Sequence, residues 1–358
     1  MNLKINKYIT NIMKIESGIK LDFNDVLLKP KRSILSSRKD VNIEREFTFL
    51  HSKRVWKGVP IVSSNMDTTG TFEIYKELSK YKMITCLQKH YSLEEYVKQN
   101  LDPNFYSLSC GISNHEWDKL QILIKELKPY FVTIDVANGY NQKFIDFCRK
   151  VRDKYPSLTI IAGNVVTPDI IQELLITAKV DIIKIGIGSG SVCSTRLKTG
   201  IGMPQLSAVI ECSEAANGIG GHIMSDGGCS IPADICKAFA GGSHFVMLGG
   251  MLAGHKESGG KLIEKDGKQY KMFYGMSSEM AQNKHNGGME DYRSSEGKVR
   301  KIPYKGEVKN TIQDILGGMR SAGTYIGASK LKYFTKCATF VQVNRQVNTI
   351  YDSKEYMI

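Results

Sequence analysis

One cysteine in the sequence stands in a setting that suits a nucleophile. Cys193 lies in a glycine-rich segment, residues 186–202, and two hydroxyl residues, Ser194 and Thr195, follow it directly. Glycine has no Cβ, so backbone amides in such a segment approach a thiol or a ligand closely and favour the reactive thiolate. The same pattern fits a tight turn with an ordinary buried cysteine, because free cysteine packs as a small hydrophobe. The residues alone leave both interpretations open.

The elements that must position this loop alternate along the chain. Short apolar runs, the pattern of buried strands, are separated by amphipathic helical segments. Strands are predicted at 59–63, 83–87, 106–110, 131–135, 159–162, 181–185, 222–225 and 245–248, and helices at 72–80, 114–127, 142–154, 168–178, 204–216 and 231–240. Eight such units predict an α/β fold, a (β/α)8 TIM barrel. A doubly wound sheet is the alternative, but neither a switch point nor a GxGxxG motif opening a helix is clear.

Glycine pairs follow the seventh and eighth predicted strands. Barrels commonly bind phosphate at these two places through backbone N–H groups. An aspartate beside the first pair suits a ribose diol, and a serine in the cysteine loop offers a further hydroxyl. Each glycine pair also fits a plain strand-to-helix turn. The candidate contacts are Ser191, Asp226, Gly227, Gly228, Gly249 and Gly250.

The alternation of predicted strands and helices stops after the eighth strand. Residues 257–269 predict a charged hairpin around Asp266 and Gly267, and a closing helix is predicted at 308–320. The excursion at about 255–305 is either a surface loop or a lid over the barrel mouth. We expect an N-terminal extension at 1–20 and a single catalytic domain at 21–358.

Composition narrows the class of protein. The net charge is +13, but Lys and Arg are spread along the 358 residues rather than gathered in a block. Such a surface favours anions such as phosphorylated nucleotides and cofactors, so nucleic acid is not expected as the main partner. No apolar run is long enough for a bilayer and residues 1–20 lack a signal-peptide core, so we expect a cytoplasmic protein with no membrane partner. The eight cysteines show neither CxxC nor zinc spacing, which indicates reduced thiols.

A resemblance covers nearly the whole chain, from residue 21 to about 325. The string Gly-Ser-Val-Cys-Ser-Thr-Arg ending at Arg196, with Lys-Thr-Gly-Ile-Gly-Met-Pro-Gln close behind, resembles the catalytic loop of the GMP reductase family, a sister of the IMP dehydrogenases. One departure is Ser194, where the family usually has threonine. Further matching motifs are Asn65-Met-Asp-Thr68, Asp135-Val-Ala-Asn-Gly139, Ala162-Gly-Asn-Val165, Ser225-Asp-Gly-Gly228, Met247-Leu-Gly-Gly250, Tyr274-Gly-Met-Ser277 and Tyr292-Arg-Ser-Ser-Glu-Gly297.

The resemblance implies an activity. It is the NADPH-dependent reductive deamination of GMP to IMP, with release of ammonia, in purine nucleotide salvage. Cys193 attacks C2 of the purine and forms a covalent thioimidate, while Thr195 and Glu296 share the role of proton donor. The excursion is then a mobile flap that carries Glu296 to the base, and the enzyme is a homotetramer.

The resemblance also implies binding residues. The purine contacts are Gly275, Met276, Ser277, Arg293, Ser294, Ser295 and Gly297. The cofactor contacts are Ser37, Arg38, Lys89, Asp135, Val136, Ala137, Ser321, Ala322, Gly323 and Thr324. Backbone carbonyls of Gly188, Gly190 and Cys193 are candidates for a monovalent cation, potassium, because hard cations take oxygen ligands.

Three other functions remain open at this point. The nearest is an IMP dehydrogenase lacking the regulatory domain that usually interrupts the early strands. The order Tyr292-Arg293 followed by Ser-Ser-Glu-Gly matches the reductase instead. A flavin-binding barrel oxidoreductase would share the phosphate site and carry a yellow cofactor. A non-enzymatic nucleotide- or RNA-binding protein would tolerate loss of Cys193.

Overall fold

The centre of the molecule is a closed barrel of eight parallel strands. A computed structural model describes residues 15–285, 287–288 and 294–344. Each barrel strand pairs with the next in chain order, and β8 pairs with β1 to close the ring. The strands are β1 (Ile61–Ser63), β2 (Ile84–Cys86), β3 (Tyr106–Cys110), β4 (Phe131–Asp135), β5 (Thr159–Val165), β6 (Ile182–Ile185), β7 (His222–Asp226) and β8 (Phe245–Leu248). All eight predicted strands are confirmed, because each is the buried apolar run that a parallel strand with two covered faces requires.

The six helices predicted between the strands are confirmed and pack on the outside of the barrel, and four short helices that the sequence did not predict are also present in the described residues. The helices are α1 (Phe72–Leu78), α2 (Leu93–Val97), α3 (Asn114–Leu127), α4 (Gln142–Lys154), α5 (Pro168–Ile176), α6 (Thr195–Thr199), α7 (Gln205–Ile219), α8 (Pro232–Ala240), α9 (Glu279–His285), α10 (Val308–Ile326) and α11 (Phe334–Cys337). Local signals set several starts: Ser113 caps α3 by accepting from the Glu116 amide, and proline occupies the first turn of α5 and α8. No helix in the described ranges is long and apolar enough to cross a bilayer.

Shorter elements lie around the barrel. The hairpin formed by Arg45–Thr48 and Val55–Gly58 sends Phe47, Phe49 and Trp56 into the core inside the barrel. Strand Val26–Leu28 pairs antiparallel with Phe340–Gln342, so the two ends of the described chain meet. The 3₁₀ turns are Phe23–Asp25, Arg38–Asp40, Ser79–Tyr81 and Leu331–Tyr333.

The excursion after β8 forms a three-stranded antiparallel sheet. Its strands are β9 (Leu262–Lys265), β10 (Lys268–Tyr274) and β11 (Val299–Pro303), with α9 between the second and the third. Asp266 and Gly267 both have positive φ, +52° and +70°, as a two-residue hairpin turn demands. The predicted hairpin is therefore present at its turn, although it spans 262–274 rather than 257–269. The sequence did not predict β11, which is mostly exposed and carries no apolar alternation.

The closing helix is longer than predicted. α10 continues through residues 321–324 and ends at Ile326, where Gly327 adopts a left-handed conformation at φ +75°. The prediction ended the helix at Arg320, and the residues that follow, Ser321, Gly323 and Thr324, are weak helix formers. Packing overrides that weakness, since Gly323 and Ile326 are buried in the helix interface.

A buried ion pair braces the amino-terminal end of the barrel. Arg152 in α4 pairs with Asp181, which directly precedes β6, and both side chains are almost fully buried. The remaining carboxylate capacity of Asp181 accepts the backbone N–H groups of His51, Ser52 and Ile160. One carboxylate thus joins the hairpin, β5 and β6.

We expect Arg152→Ala to lower the free energy of unfolding by about 3–5 kcal/mol, because it leaves the Asp181 charge buried without its partner. The matched control is Arg149→Ala on the same helix, whose pair with Asp146 is half exposed and should contribute less than about 1 kcal/mol. Urea unfolding followed by circular dichroism measures both. Equal losses in the two variants would contradict this account of the brace.

Candidate active site

The loop after β6 turns sharply and directs Cys193 toward the carboxyl end of the barrel. Gly186 begins the turn, and a Cβ at this position would lie 1.9 Å from the carbonyl oxygen of Asp226 on β7. Only glycine fits where two backbones approach so closely. Further on, the Cys193 amide donates to the carbonyl of Gly190 at 3.0 Å, which closes a tight turn around the thiol. Cys193 is half-buried, whereas Cys86 and Cys110 are buried.

A chain of hydrogen bonds runs from the thiol to a carboxylate on the excursion. The Cys193 Sγ donates to Thr195 Oγ1 at 3.2 Å, and Thr195 Oγ1 donates to Glu296 Oε2 at 2.6 Å. Thr195 and Glu296 are 101 residues apart in sequence. A hydroxyl between a thiol and a carboxylate can receive a proton from one and pass it to the other.

Backbone pairing holds this chain together. The Ser194 amide donates to the Glu296 carbonyl at 2.8 Å, and the Lys298 amide donates to the Val192 carbonyl at 2.7 Å. These bonds form an antiparallel bridge between Cys193 and Gly297. The main chain, rather than a flexible side chain, therefore sets the distance between the thiol loop and Glu296.

A buried lysine organises the polar residues beside the thiol. Lys184 on β6 lies inside the barrel with its side chain 2% exposed, and its Nζ is 2.6 Å from Asp135 Oδ1 and 3.3 Å from Asp226 Oδ2. Asn65 Nδ2 donates to Asp135, and Asn164 Nδ2 donates to Asp226, both at 2.8 Å. Burial works to lower the pKa of Lys184, but the two carboxylates outweigh it and raise the pKa above its ordinary value. The ammonium stays charged and fixes both aspartates.

These residues line one cleft of about 260 Å³ at the carboxyl end of the barrel. Fourteen residues proposed from the sequence lie on its wall: Asp135, Val136, Ala137, Gly188, Gly190, Cys193, Thr195, Asp226, Gly227, Gly275, Met276, Ser277, Glu296 and Gly297. A second cavity of about 240 Å³ adjoins it and shares Asn65, Asp135, Val136, Ala137, Met276 and Ser277. Lys89 lies on the second cavity, where it pairs with Glu116.

The candidate phosphate contacts lie around the same loop. Gly228 donates to the Ser189 carbonyl at 3.0 Å, and a Cβ on Gly250 would lie 2.8 Å from Ser191 Oγ. A Cβ on Gly249 would lie 3.3 Å from Ser64 Oγ. Gly228 and Gly250 thus both approach the loop after β6, whereas Gly249 approaches Ser64, directly after β1.

Several other residues proposed from the sequence lie elsewhere. Ser37 caps the Arg38–Asp40 turn, and residues 321–324 lie on α10, where Gly323 packs against nearby Val41. None of them lines either cavity described above, and their role as cofactor contacts stays a prediction. Ser295 contacts the thiol loop through its carbonyl, which accepts from Ser194, while Ser294 is exposed. Arg293 lies outside the described residues.

Sequence reasoning missed three residues that hold the site together. The sequence analysis included Asn65 and Asn164 in matching motifs and Lys184 in a predicted strand, but it gave none of them a role in the site. The available signal was a lysine in the otherwise apolar run at 182–185, because a lysine is almost never fully buried unless it is paired. The sequence around Lys184 does not indicate which acidic residues pair with it, because those residues lie on other strands.

Comparisons with known proteins agree with this geometry. The sequence model of the IMP dehydrogenase / GMP reductase domain matches residues 20–349. The chain is 54% identical over 347 residues to the GMP reductase of Salmonella typhi, covering 95% of this chain and 100% of that one. It is 53% identical over 342 residues to GMP reductase 2 of Homo sapiens, covering 94% and 98%. It is 53% identical over 344 residues to the GMP reductase of Caenorhabditis elegans, covering 94% and 96%. With a closed eight-stranded barrel and a match over nearly its whole length, the chain is an oxidoreductase of the IMP dehydrogenase/GMP reductase family.

Proposed function

We propose that this chain is a GMP reductase, which converts GMP and NADPH to IMP, ammonia and NADP⁺ through a thioimidate on Cys193. The observation that carries the proposal is the hydrogen-bond chain from Cys193 through Thr195 to Glu296. The names of the relatives point to the same substrate.

The hydrogen bonds from Cys193 through Thr195 to Glu296 account for the deamination half of the reaction. Proton transfer from Cys193 Sγ to Thr195 Oγ1, as the hydroxyl proton passes to Glu296 Oε2, leaves a thiolate that bonds to C2 of the purine. The C2–N bond then breaks as the same relay returns a proton to the leaving amine, so ammonia departs and the thioimidate remains. An amine leaves readily only when protonated, which is why the carboxylate must lie within reach.

The second cavity suits the nicotinamide half of NADPH. It opens beside the Cys193 cleft and shares Asp135, Val136 and Ala137 with it. When bound, NADPH supplies the hydride, a chemistry that no protein side chain provides. The chain's own part is to hold the two ligands side by side, with Met276 and Ser277 on the wall common to both cavities.

The remaining parts of GMP have candidate partners at the barrel mouth. Asp226 is held by Asn164 and Lys184 through Oδ2, and it accepts hydrogen bonds from the ribose diol. Ser191, Gly228, Gly249 and Gly250 bind the phosphate, in the position that barrels commonly use. Residues 275–277 and the excursion from Ser294 to Gly297 contact the purine.

The proposal also covers the biological role, the assembly and the domain organisation of the enzyme. We propose a role in purine nucleotide salvage in the cytoplasm, a homotetramer, and one catalytic domain with a mobile flap at about 255–305. We propose the backbone carbonyls of Gly188, Gly190 and Cys193 as ligands of a monovalent cation such as potassium, because hard cations take oxygen ligands. The part of the chain that the structure describes holds no cluster of three acidic, histidine or cysteine side chains for a different metal.

Two assays test the proposed function. The protein is mixed with GMP and NADPH, and loss of cofactor absorbance is compared with release of ammonia, which should match mole for mole. IMP with NAD⁺ in a second assay tests the dehydrogenase. NAD⁺ reduction by IMP without consumption of NADPH by GMP would overturn the proposal.

Cys193→Ala should abolish turnover and leave GMP binding nearly unchanged, because the thiol forms the covalent bond while ribose and phosphate contacts come from other loops. Cys337→Ala, at another half-buried cysteine outside the cleft, is the control and should keep full activity. Turnover by the rate assay and GMP affinity by calorimetry are measured. Full activity in Cys193→Ala would exclude this nucleophile.

Asp226→Ala should weaken GMP binding by roughly 1.5–3 kcal/mol, the contribution of a charge-assisted hydrogen bond. Lys184 keeps Asp135 as its partner, so the fold should survive. The exposed Asp146→Ala serves as the control. Calorimetric titration with GMP measures both variants, and an unchanged affinity in folded Asp226→Ala would remove the ribose role.

Glu296→Gln should slow ammonia release by about 10²–10⁴-fold, the usual contribution of a positioned acid–base group, and slow hydride transfer less. Glutamine keeps the hydrogen bond to Thr195 but cannot exchange a proton. Single-turnover measurements from GMP and, in reverse, from IMP with NADP⁺ separate the two steps. Exposed Glu279→Gln on the same excursion is the control. An equal loss in both steps would make Glu296 a positioning residue only.

A further inference from the structure

A buried aspartate that lines neither cavity accepts hydrogen bonds from three side chains of the excursion. Asp67 follows β1, and its side chain is fully buried. Its Oδ2 accepts from Tyr274 Oη at 2.7 Å, Lys284 Nζ at 2.9 Å and His285 Nε2 at 2.8 Å. All three donors come from β10 and α9, more than 200 residues further along the chain. We call these four residues the Asp67 cluster.

The cluster is an electrostatic link rather than an apolar contact. Burial works to raise the pKa of Asp67, but the hydrogen bonds from His285, Lys284 and Tyr274 outweigh it and hold the pKa below its ordinary value. The carboxylate is therefore ionised at neutral pH, and its bonds are of the strong, charge-assisted kind. The other oxygen, Oδ1, is buried and has no partner among the described residues. A carboxylate so placed is stable only while its three donors stay in position.

One of the three donors lies on the wall of the second cavity. His285 lines that cavity together with Ala281 and Gln282 of the same helix, α9. The His285 ring stacks on the His90 ring, with centroids 3.6 Å apart and planes 8° from parallel. Burial, with the nearby His285, lowers the pKa of His90 to about 4, so this ring is neutral at pH 7 and adds no repulsive charge to the stack. His285 thus joins the cluster on one side to the cavity wall on the other.

We propose that Asp67 is a positioning residue, which holds α9 against the barrel and so forms the outer wall of the cavity for the nicotinamide half of the cofactor. The proposal rests on the proposed function for the identity of the ligand. Asp67 itself lines neither cavity, so it acts through His285 and α9 rather than by touching a ligand. Its loss should act on the cofactor more than on GMP, because Asp226 and the phosphate loops belong to the barrel.

The test uses the full chain with Asp67→Asn, which keeps the shape of the side chain and removes its charge. NADPH and GMP affinities are measured by calorimetry, KM and kcat by the rate assay, and amide hydrogen exchange at 279–285 by mass spectrometry. We expect NADPH affinity to fall by about tenfold or more through loss of charge-assisted bonds. The KM for NADPH should rise more than kcat falls, and exchange at 279–285 should quicken. GMP affinity should fall less than NADPH affinity, because none of the α9 residues lines the Cys193 cleft.

Two further variants separate positioning from general destabilisation. Asp181→Asn removes the charge of a carboxylate that is equally buried at the opposite end of the barrel, and it should not alter exchange at 279–285. Lys284→Ala, at a half-exposed side chain, should weaken NADPH binding as a single change. In the double variant it should add little to the loss of NADPH affinity caused by Asp67→Asn, because both changes remove the same link. It also tests the link if Asp67→Asn fails to fold.

The possible results are distinct. Unchanged NADPH affinity and unchanged exchange in Asp67→Asn would overturn the proposal, as would the same loss of NADPH affinity in Asp181→Asn. Additive effects of the Asp67 and Lys284 changes would also overturn it. If the wild-type protein does not consume NADPH with GMP, the proposed function fails, whereas the exchange measurement still decides whether Asp67 holds α9.

Discussion

The buried ammonium of Lys184 is the interaction on which the arrangement of the site depends. A charge inside a barrel is stable only when opposite charges and hydrogen bonds replace water. Asp135 from β4 and Asp226 from β7 supply those charges, and Asn65 and Asn164 hold the carboxylates in turn. One positive charge faces two negative ones, so the group retains a net negative charge at the cleft. The same strand that carries Lys184 leads directly into the cysteine loop.

Lys184 also acts on the wall that the two cavities share. Asp135 lies on the wall of both cavities, whereas Asp226 lines the Cys193 cleft and not the second cavity. The Lys184 ammonium therefore fixes, through Asp135, a part of the wall common to the two ligands we propose. The excursion supplies further wall residues, with Glu296 beside the thiol and α9 at the second cavity.

Sequence predicted the barrel well because each barrel strand is a short buried apolar run, a pattern visible without any partner. It also brought Cys193, Thr195 and Glu296 together through resemblance, and their hydrogen bonds are present. It missed β11, whose exposed residues carry no alternation, and the last turns of α10, where packing outweighs helix propensity. The pairing of Lys184 and the donors of Asp67 could not be predicted, because such contacts join residues that are far apart in sequence and no local pattern encodes them.

The bridge between Cys193 and Gly297 is made of main-chain atoms, and this has a consequence for protein engineering. Backbone hydrogen bonds do not depend on which side chains the residues carry, so a side-chain change at Ser194 leaves Glu296 in register. Cys193 must stay as the proposed nucleophile, and Val192 packs against Ala253 and Phe273, so a designer can vary this strip only with residues of similar size at 192 and 194. The limit is proline at residues 194 and 298, since it would remove an N–H that the bridge requires.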